Sequence, residues 1–285
     1  MSETISVESF DDALKAFKDL SDDHSDSSLT FRGHADSTWK VEASLFRQDP
    51  DISRFEAEMI RELISLFPSD FLHDQTMFDR LVRMQHYGLP TRLLDVTKNP
   101  LVALYFAVSD EAHKDSDGSV LAFPAPTERC KFYDSDVVSC MANLSNLKED
   151  ERHLLTTTKA STISELRDLQ ATDRLVQFIK AEKPYFQPRV KKVDLFKPVV
   201  VTAKRANQRM SAQSGSFILH GLPSSEGPRY DKSIKTEKVI IPAKAKSAIR
   251  WRLEAIGIET STLFPEIDKA TGRIVEIYKG KTFPF

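Results

Sequence analysis

The sequence predicts an α+β fold built on a mixed, mainly antiparallel sheet. Strand-like stretches and amphipathic helices are interspersed along the chain without the strict alternation that builds a parallel sheet. The 285 residues are 40% hydrophobic and 29% charged, an ordinary globular balance with length for a sizeable core. The organisation read from this is one domain over residues 1–285, with a helical insertion at about residues 134–181.

The elements follow in order. Ser9 to Leu20 has a capping serine, two acids in its first turn, and Leu14, Phe17 and Leu20 at helical spacing, as in a surface helix. Leu29–Gly33 reads as a strand with Leu29 and Phe31 on one side and Thr30 and Arg32 on the other. Gly33 at its end permits a bend or a close approach. Trp39 to Phe46, followed by Arg47, is a second strand candidate. Ile52–Phe67 is an amphipathic helix.

Phe78, Leu81 and Val82 mark the apolar face of the next helix, and Gln85 shares that face at i+7. Gly88 can end this helix in the left-handed conformation, and Pro90 pushes Leu89 to extended geometry. Thr91 to Thr97 then reads as a strand. Its period of two puts Thr91, Leu93, Asp95 and Thr97 on one side, and Arg92, Leu94 and Val96 on the other. Asn99 and Pro100 open a helix, Leu101–Val108, that is apolar all round and so expected to be buried.

Gly118–Pro124 is a strand. Residues 134–181 are helical and charged, with Leu166, Leu169, Leu175, Phe178 and Ile179 as apolar markers and no chemical motif. This stretch reads as plain helical packing or as a partner surface. Pro198–Ala203 is β-branched, as a central strand would be. Arg205, Arg209 and Gln213 recur at i+4 before Gly215 breaks the helix. Phe217 and Leu219 then mark the core face of a short strand. Lys238–Pro242 is the last strand. Ala243–Ile256 is a helix stopped by Gly257. Thr262 to Asp268 opens a final helix bearing Ile267, Ala270, Ile274 and Ile277.

Composition excludes several classes. The net charge of −2 provides no global basic field for nucleic acid, though a local basic groove is compatible with it. Cys130 and Cys140 lack C-x-x-C spacing, which points away from zinc and disulfide frameworks and towards a reducing cytoplasm. The opening MSETISVESFDD lacks the basic and apolar regions of a signal peptide, and no apolar run is long enough for a bilayer. No glycine-rich dinucleotide or P-loop signature occurs.

Gln85, His86, Thr91, Arg92, Asp95 and Thr97 crowd the space between one helix end and one strand end. Such a cluster is either a polar network pinning a strand to two helices or a site built beside a buried helix.

Phe31-Arg32-Gly33, the run Gln85-His86-x-Gly88-x-Pro90-Thr91-Arg92-Leu93-Leu94-Asp95-x-Thr97, and Asn99-Pro100-Leu101-x-Ala103-Leu104-Tyr105-Phe106-Ala107 together resemble the FRG domain, named for its Phe-Arg-Gly motif. Arg209-x-x-x-Gln213-x-Gly215-x-Phe217 and Thr262-Leu263-Phe264-Pro265 fit its later blocks. The layout in turn resembles ADP-ribosyltransferases, which implies a sheet core of that type and NAD as substrate, with no metal. By that resemblance Arg32 matches the first-strand residue and Asp95-Val96-Thr97 the second strand. The third element, usually a glutamate, has no clear match. Gln213 lies nearest in motif order, and Glu237, Glu259 and Glu266 are the carboxylate candidates. The implied catalytic set is Arg32, Asp95, Gln213 and Glu266. The implied NAD-binding set is Arg32, Gly33, His86, Thr91, Arg92 and Thr97. The implied function is a cytoplasmic toxin or phage-defence effector that ADP-ribosylates a protein, RNA or DNA target and is held in check by an antitoxin or inhibitor protein. The alternative is an FRG module that binds a nucleotide or nucleic acid without turnover.

Overall fold

The computed structural model describes residues 5–48, 51–204, 208–223 and 234–265. Its strands are β1 Ile5–Ser6, β2 Ser27–His34, β3 Leu93–Thr97, β4 Gly118–Pro126, β5 Cys130–Phe132, β6 Val199–Thr202, β7 Gly215–Leu219 and β8 Glu237–Ile241. Its helices are α1 Phe10–Asp23, α2 Glu56–Leu66, α3 Met77–His86, α4 Pro100–Val108, α5 Asp136–Asn143, α6 Glu149–Thr157, α7 Ile163–Arg167, α8 Gln170–Glu182, α9 Lys192–Phe196, α10 Gln208–Ala212, α11 Ala243–Ala255 and α12 Thr260–Leu263. The strands form one sheet in the order β1-β8-β4-β2-β3-β7-β6-β5. Only β1–β8 and β5–β6 are parallel. The expectation of helices on a mainly antiparallel sheet is met.

Directly opposed residues of an antiparallel pair share a face, so the register sorts the core. Phe31 opposes Ala122 and Thr97, Asp95 opposes Phe217, and Leu93 opposes Leu219. One sheet face therefore carries two apolar packs side by side. Phe31, Val120, Ala122 and Val239 pack under α1, α4 and α11. Leu93, Val199, Val201, Phe217 and Leu219 pack under α3 and α5. The opposite face gathers Leu94, Val96, Leu121, Phe123, Val200 and Ile218. Helices α5 to α9 close a further core around Leu144, Leu155, Leu175 and Ile179, which accounts for the helical character of residues 134–181.

The central seam is unusual. β2 runs eight pairs with β4, yet it meets β3 at the single pair Phe31 with Thr97. Beyond that pair the two strands diverge. The stretch Trp39 to Phe46, expected as a strand, is instead turn and loop with a 3-10 turn at Ser44–Phe46. It docks across the open edge of β3, where Leu45 N–H donates to Thr91 O at 3.1 Å.

Other differences are local. β6 has a neighbour on each side but lies one place from the sheet edge rather than at its centre. The two-residue β1 and three-residue β5 are too short to leave a period-two signal. The described helix near Thr262 is α12, which ends at Leu263. The expected continuation through Ile267, Ala270, Ile274 and Ile277 lies outside the described residues. Leu14 of α1 faces solvent, and Ala13, Ala16, Phe17 and Leu20 make its buried stripe.

Behind β3 sits a buried charge triad. Arg92 Nε donates to Glu56 Oε1 at 2.8 Å, and Arg152 Nη1 of α6 donates to Glu56 Oε2 at 3.2 Å. Arg92 Nη1 also reaches the carbonyls of His220 and Gly221, while Arg152 reaches those of Ser53, Arg54 and Leu147. Removing one partner of a buried pair leaves an uncompensated charge, which costs about 3–5 kcal/mol. Glu56→Ala leaves Arg92 without a carboxylate, while Arg152 keeps Glu149, 3.2 Å from its Nη2. The variant's unfolding midpoint in urea is expected to fall by at least that free energy; a shift below about 1 kcal/mol would show that the carbonyl cage alone holds the arginines.

Candidate functional site

The two apolar packs leave a cleft of about 300 Å³ between them, over the seam of β2 and β3. Each wall has a local cause. Helix α3 starts in a capping box between Thr76 and Asp79 and stops at Gly88, whose φ of +88° allows Leu89 N–H to reach back to Met84 O at 3.0 Å. This end delivers Gln85 and His86 to the cleft. Helix α4 starts at Asn99, whose side chain accepts from Leu101 N–H at 3.0 Å, with Pro100 in the first turn. It is buried as expected, and its half-buried Phe106 forms part of the wall. The corner at Ser214 (φ +48°) turns α10 into β7 and presents Arg209 and Gln213.

The Arg32 side chain starts on the sheet face opposite to Asp95, since it opposes Leu121, and reaches back through the diverging seam. Its Nε donates to His34 Nε2 at 3.0 Å and its Nη1 to the Asp95 carbonyl at 2.7 Å. The Asp95 carboxylate lies 4.0 Å away. The guanidinium thus replaces the strand N–H that β3 lacks there. Burial pushes the Arg32 pKa down, Asp95 pulls it up and the Arg47 cation pushes it down again.

Asp95 is held by a chain of directed bonds. Leu93 N–H donates to Thr91 Oγ1, so the hydroxyl proton goes to Gln85 Oε1. The Gln85 amide is thereby oriented, and its Nε2 donates to Asp95 Oδ2 at 2.7 Å. Asp95 Oδ1 accepts no hydrogen bond among the described residues and its side chain is 63% exposed, so this oxygen is available to a ligand. Gln213 Nε2 is tied to Leu263 O at 3.0 Å, leaving its Oε1 as an acceptor in the cleft. Arg209 stacks over Phe264, which meets Phe106 edge-on.

The structure brings Arg32, Gly33, His86, Asp95, Thr97 and Gln213 of the expected residues to one cleft. Thr97 has its hydroxyl occupied, donating to Gln213 O at 2.6 Å and accepting from Asn99 N–H at 3.0 Å. Three expectations are corrected. Arg92 alternates to the other side of β3, is 2% exposed and belongs to the Glu56 triad, not the cleft. Thr91 is buried behind Gln85 and acts through it. Gly33 was expected to let a ligand approach the backbone, but α4 takes that space: a Cβ there would lie 2.8 Å from Ala107 N and from Phe106 Cβ, and nearer still to Ala103 O. Of the carboxylate candidates, Glu237 pairs with His24 on β8, Glu259 caps α12, and Glu266 lies outside the described residues. The sequence reading passed over Phe106, Arg209 and Arg47 as site residues. An all-apolar helix gave no sign that one of its rings would face a cleft.

Residues 27–116 match the family model of the FRG domain. Over that stretch the chain is similar to the FRG domain. The matched stretch runs from the first residue of β2 through α4 and contributes Arg32, Gln85, Asp95 and Phe106 of the cleft; Arg209 and Gln213 come from beyond it. No curated protein and no solved structure matches the chain. Among the described residues, no group of three or more His, Cys, Asp or Glu side chains could hold a metal, and no helix is long and apolar enough to cross a membrane.

The FRG motif's neighbour His34 gives a pH prediction. Arg32 is always charged and donates to His34 Nε2, so the ring must be neutral with its proton on Nδ1, which has no partner among the described residues. Burial, then the Arg32 cation, pushes its pKa down to about 4. The unfolded chain takes up a proton near pH 6.5, before the folded one does. Stability is therefore lost as pH falls from about 6.5 towards 4. His34→Gln keeps an acceptor for Arg32 and is expected to flatten this slope in urea unfolding at pH 7, 6 and 5. An unchanged slope would assign the effect to other groups, His220 among them, which burial also pushes down to about 4.

Proposed function

We propose that the cleft binds NAD and that the chain transfers its ADP-ribose unit to a macromolecule. The observation that carries this reading is the meeting of a guanidinium and a ligand-accessible carboxylate at one point of the cleft. Arg32 Nη2 makes no hydrogen bond among the described residues, so it is available to a phosphate of the dinucleotide. Asp95 Oδ1 is available to a ribose hydroxyl. The Phe106 ring offers an apolar wall to a base or the nicotinamide ring, and Arg209 adds a second cation at the rim.

The chemistry suits these residue types. Breaking the bond between nicotinamide and ribose develops positive charge on the sugar. A fixed carboxylate beside it stabilises that state electrostatically, and Gln85 holds the carboxylate in place beforehand. Gln213 Oε1 can accept a second ribose hydroxyl. A volume of about 300 Å³ is at the small end for ligand sites, so one nucleoside half is enclosed while the other lies along the open groove.

A specific observation favours the runner-up, an FRG module that binds nucleotide without turnover. Asp95 is the single carboxylate lining the cleft among the described residues, and Gln213, nearest in motif order to the glutamate of ADP-ribosyltransferases, brings an amide to it. Labelled NAD incubated with the chain and cell lysate separates the two: label on a macromolecule supports transfer, whereas retention of intact NAD supports binding alone. Such an activity would also be expected to arrest growth on expression, as a toxin or defence effector does.

Two variants test the residue roles. Asp95→Asn is nearly isosteric and is expected to fold, to bind NAD and to lose turnover by two orders of magnitude or more, about the effect of removing one such electrostatic group. Arg32→Lys keeps the charge but loses the fork that spans His34 and Asp95. It is expected to melt close to wild type and to bind NAD poorly by calorimetry. Wild-type NAD affinity in Arg32→Lys would remove Arg32 from the binding set.

A further inference from the structure

A second hollow, of about 210 Å³, opens on the other side of the Arg32–Asp95 contact. It shares Arg32, Gln85 and Asp95 with the first. Its own walls are Ser44, Arg47, Gly88, Leu89, Leu93 and Leu94. The two hollows therefore meet at the carboxylate.

We infer that this second hollow is the acceptor subsite, and that the acceptor is a single-stranded nucleic acid whose phosphate is held by Arg47. This rests on the reading of the first hollow as the NAD site. Arg47 is exposed, and no carboxylate among the described residues pairs with it. It lies close enough to Arg32 to disfavour that residue's charge. Two guanidiniums facing one hollow are relieved by an anion between them, and the planar fork suits a phosphate. Across both hollows the rim cations are Arg32, Arg47 and Arg209 against Asp95 alone, a cationic track in a chain of net charge −2. A protein acceptor has no recurring anion to match that track.

The size selects a single strand. A hollow of about 210 Å³ has room for one unstacked base, with its phosphate outside at Arg47, and a base can enter only when it is out of a duplex stack. Leu89 and Leu94 offer apolar contact for a base, and Tyr87, 64% exposed beside Gly88, offers a stacking surface near the mouth. In the transfer step an oxygen or nitrogen lone pair of the acceptor forms a bond to C1′ of the nicotinamide ribose. The C1′–N bond breaks and its electron pair stays on neutral nicotinamide. The acceptor's proton passes to water, and Asp95 stays charged beside the sugar. The balance is NAD⁺ plus acceptor–H giving ADP-ribosyl-acceptor, nicotinamide and H⁺.

The test uses the full chain and a short fluorescent oligonucleotide of mixed sequence, as single-stranded DNA, single-stranded RNA and duplex. Anisotropy titrations over a salt series are run without NAD on wild type, Arg47→Glu and Arg47→Lys. Wild type is expected to prefer a single strand. Arg47→Glu should melt with wild type, bind about tenfold or more weakly, and lose about one unit of salt slope, with Arg47→Lys between. With labelled NAD, transfer to the strand should fall further in Arg47→Glu than hydrolysis of NAD does. Equal binding by wild type and Arg47→Glu, or label entering protein at a rate indifferent to Arg47, overturns the inference. Strand binding that follows Arg47 with no NAD turnover by any variant would instead retire the donor reading and leave the nucleic-acid subsite standing.

Discussion

The site depends on one interrupted seam in the sheet. β2 and β3 share a single pair, Phe31 with Thr97, and then part. Parting strands exposes backbone groups that must find other partners or cost stability. Here the partners are specific: the Arg32 guanidinium takes the Asp95 carbonyl, and Leu45 N–H takes that of Thr91. The chain can hold an opening through its own sheet because side chain and loop replace the missing ladder. The same substitution brings Arg32 to the face of Asp95, although its Cβ starts on the other one.

The strand on the far side of that seam does two jobs by alternation. Thr91, Asp95 and Thr97 face α3, α4 and the β7 corner, where a chain of directed hydrogen bonds fixes each group. Arg92, one residue out of phase, anchors to Glu56 and through it to Arg152 in the helical region. A one-residue slip would put Arg92 in the cleft and Asp95 in the core. The buried triad therefore also fixes register: its guanidinium has partners only in one alignment.

Much of this was legible in the residues, for physical reasons. A period of two is short-range and robust, so the two faces of β3 could be read directly. Gln85 on an apolar face announced that it needed a polar partner, and Gly88 and the Asn99-Pro100 pair marked helix ends that the structure keeps. What was hidden depended on distant segments. Arg92 looked like a ligand contact because nothing near it in sequence shows that Glu56 and Arg152 will surround it. The loop at Trp39 to Phe46 has an apolar content suited to a strand, but it is spent docking on β3 rather than pairing along it. Gly33 reads the same whether it faces a ligand or a helix. Only the packing of α4 decides that it faces a helix.

The charges around the seam have a further consequence. Behind β3, Glu56 faces Arg92 and Arg152, and Arg152 also pairs with the exposed Glu149, so the charges there balance. In front of it stand Arg32, Arg47 and Arg209, with Asp95 the one opposing charge among the cleft residues. Low-dielectric walls weaken screening, so the arginines in front of the strand add their fields at the opening. A chain that is slightly acidic as a whole thus focuses a positive potential on a single narrow place. That potential favours an anionic ligand. It also explains why His34 and His220, each beside one of these arginines, are held neutral by burial and cation together. Adding their protons would raise a potential that the fold already concentrates.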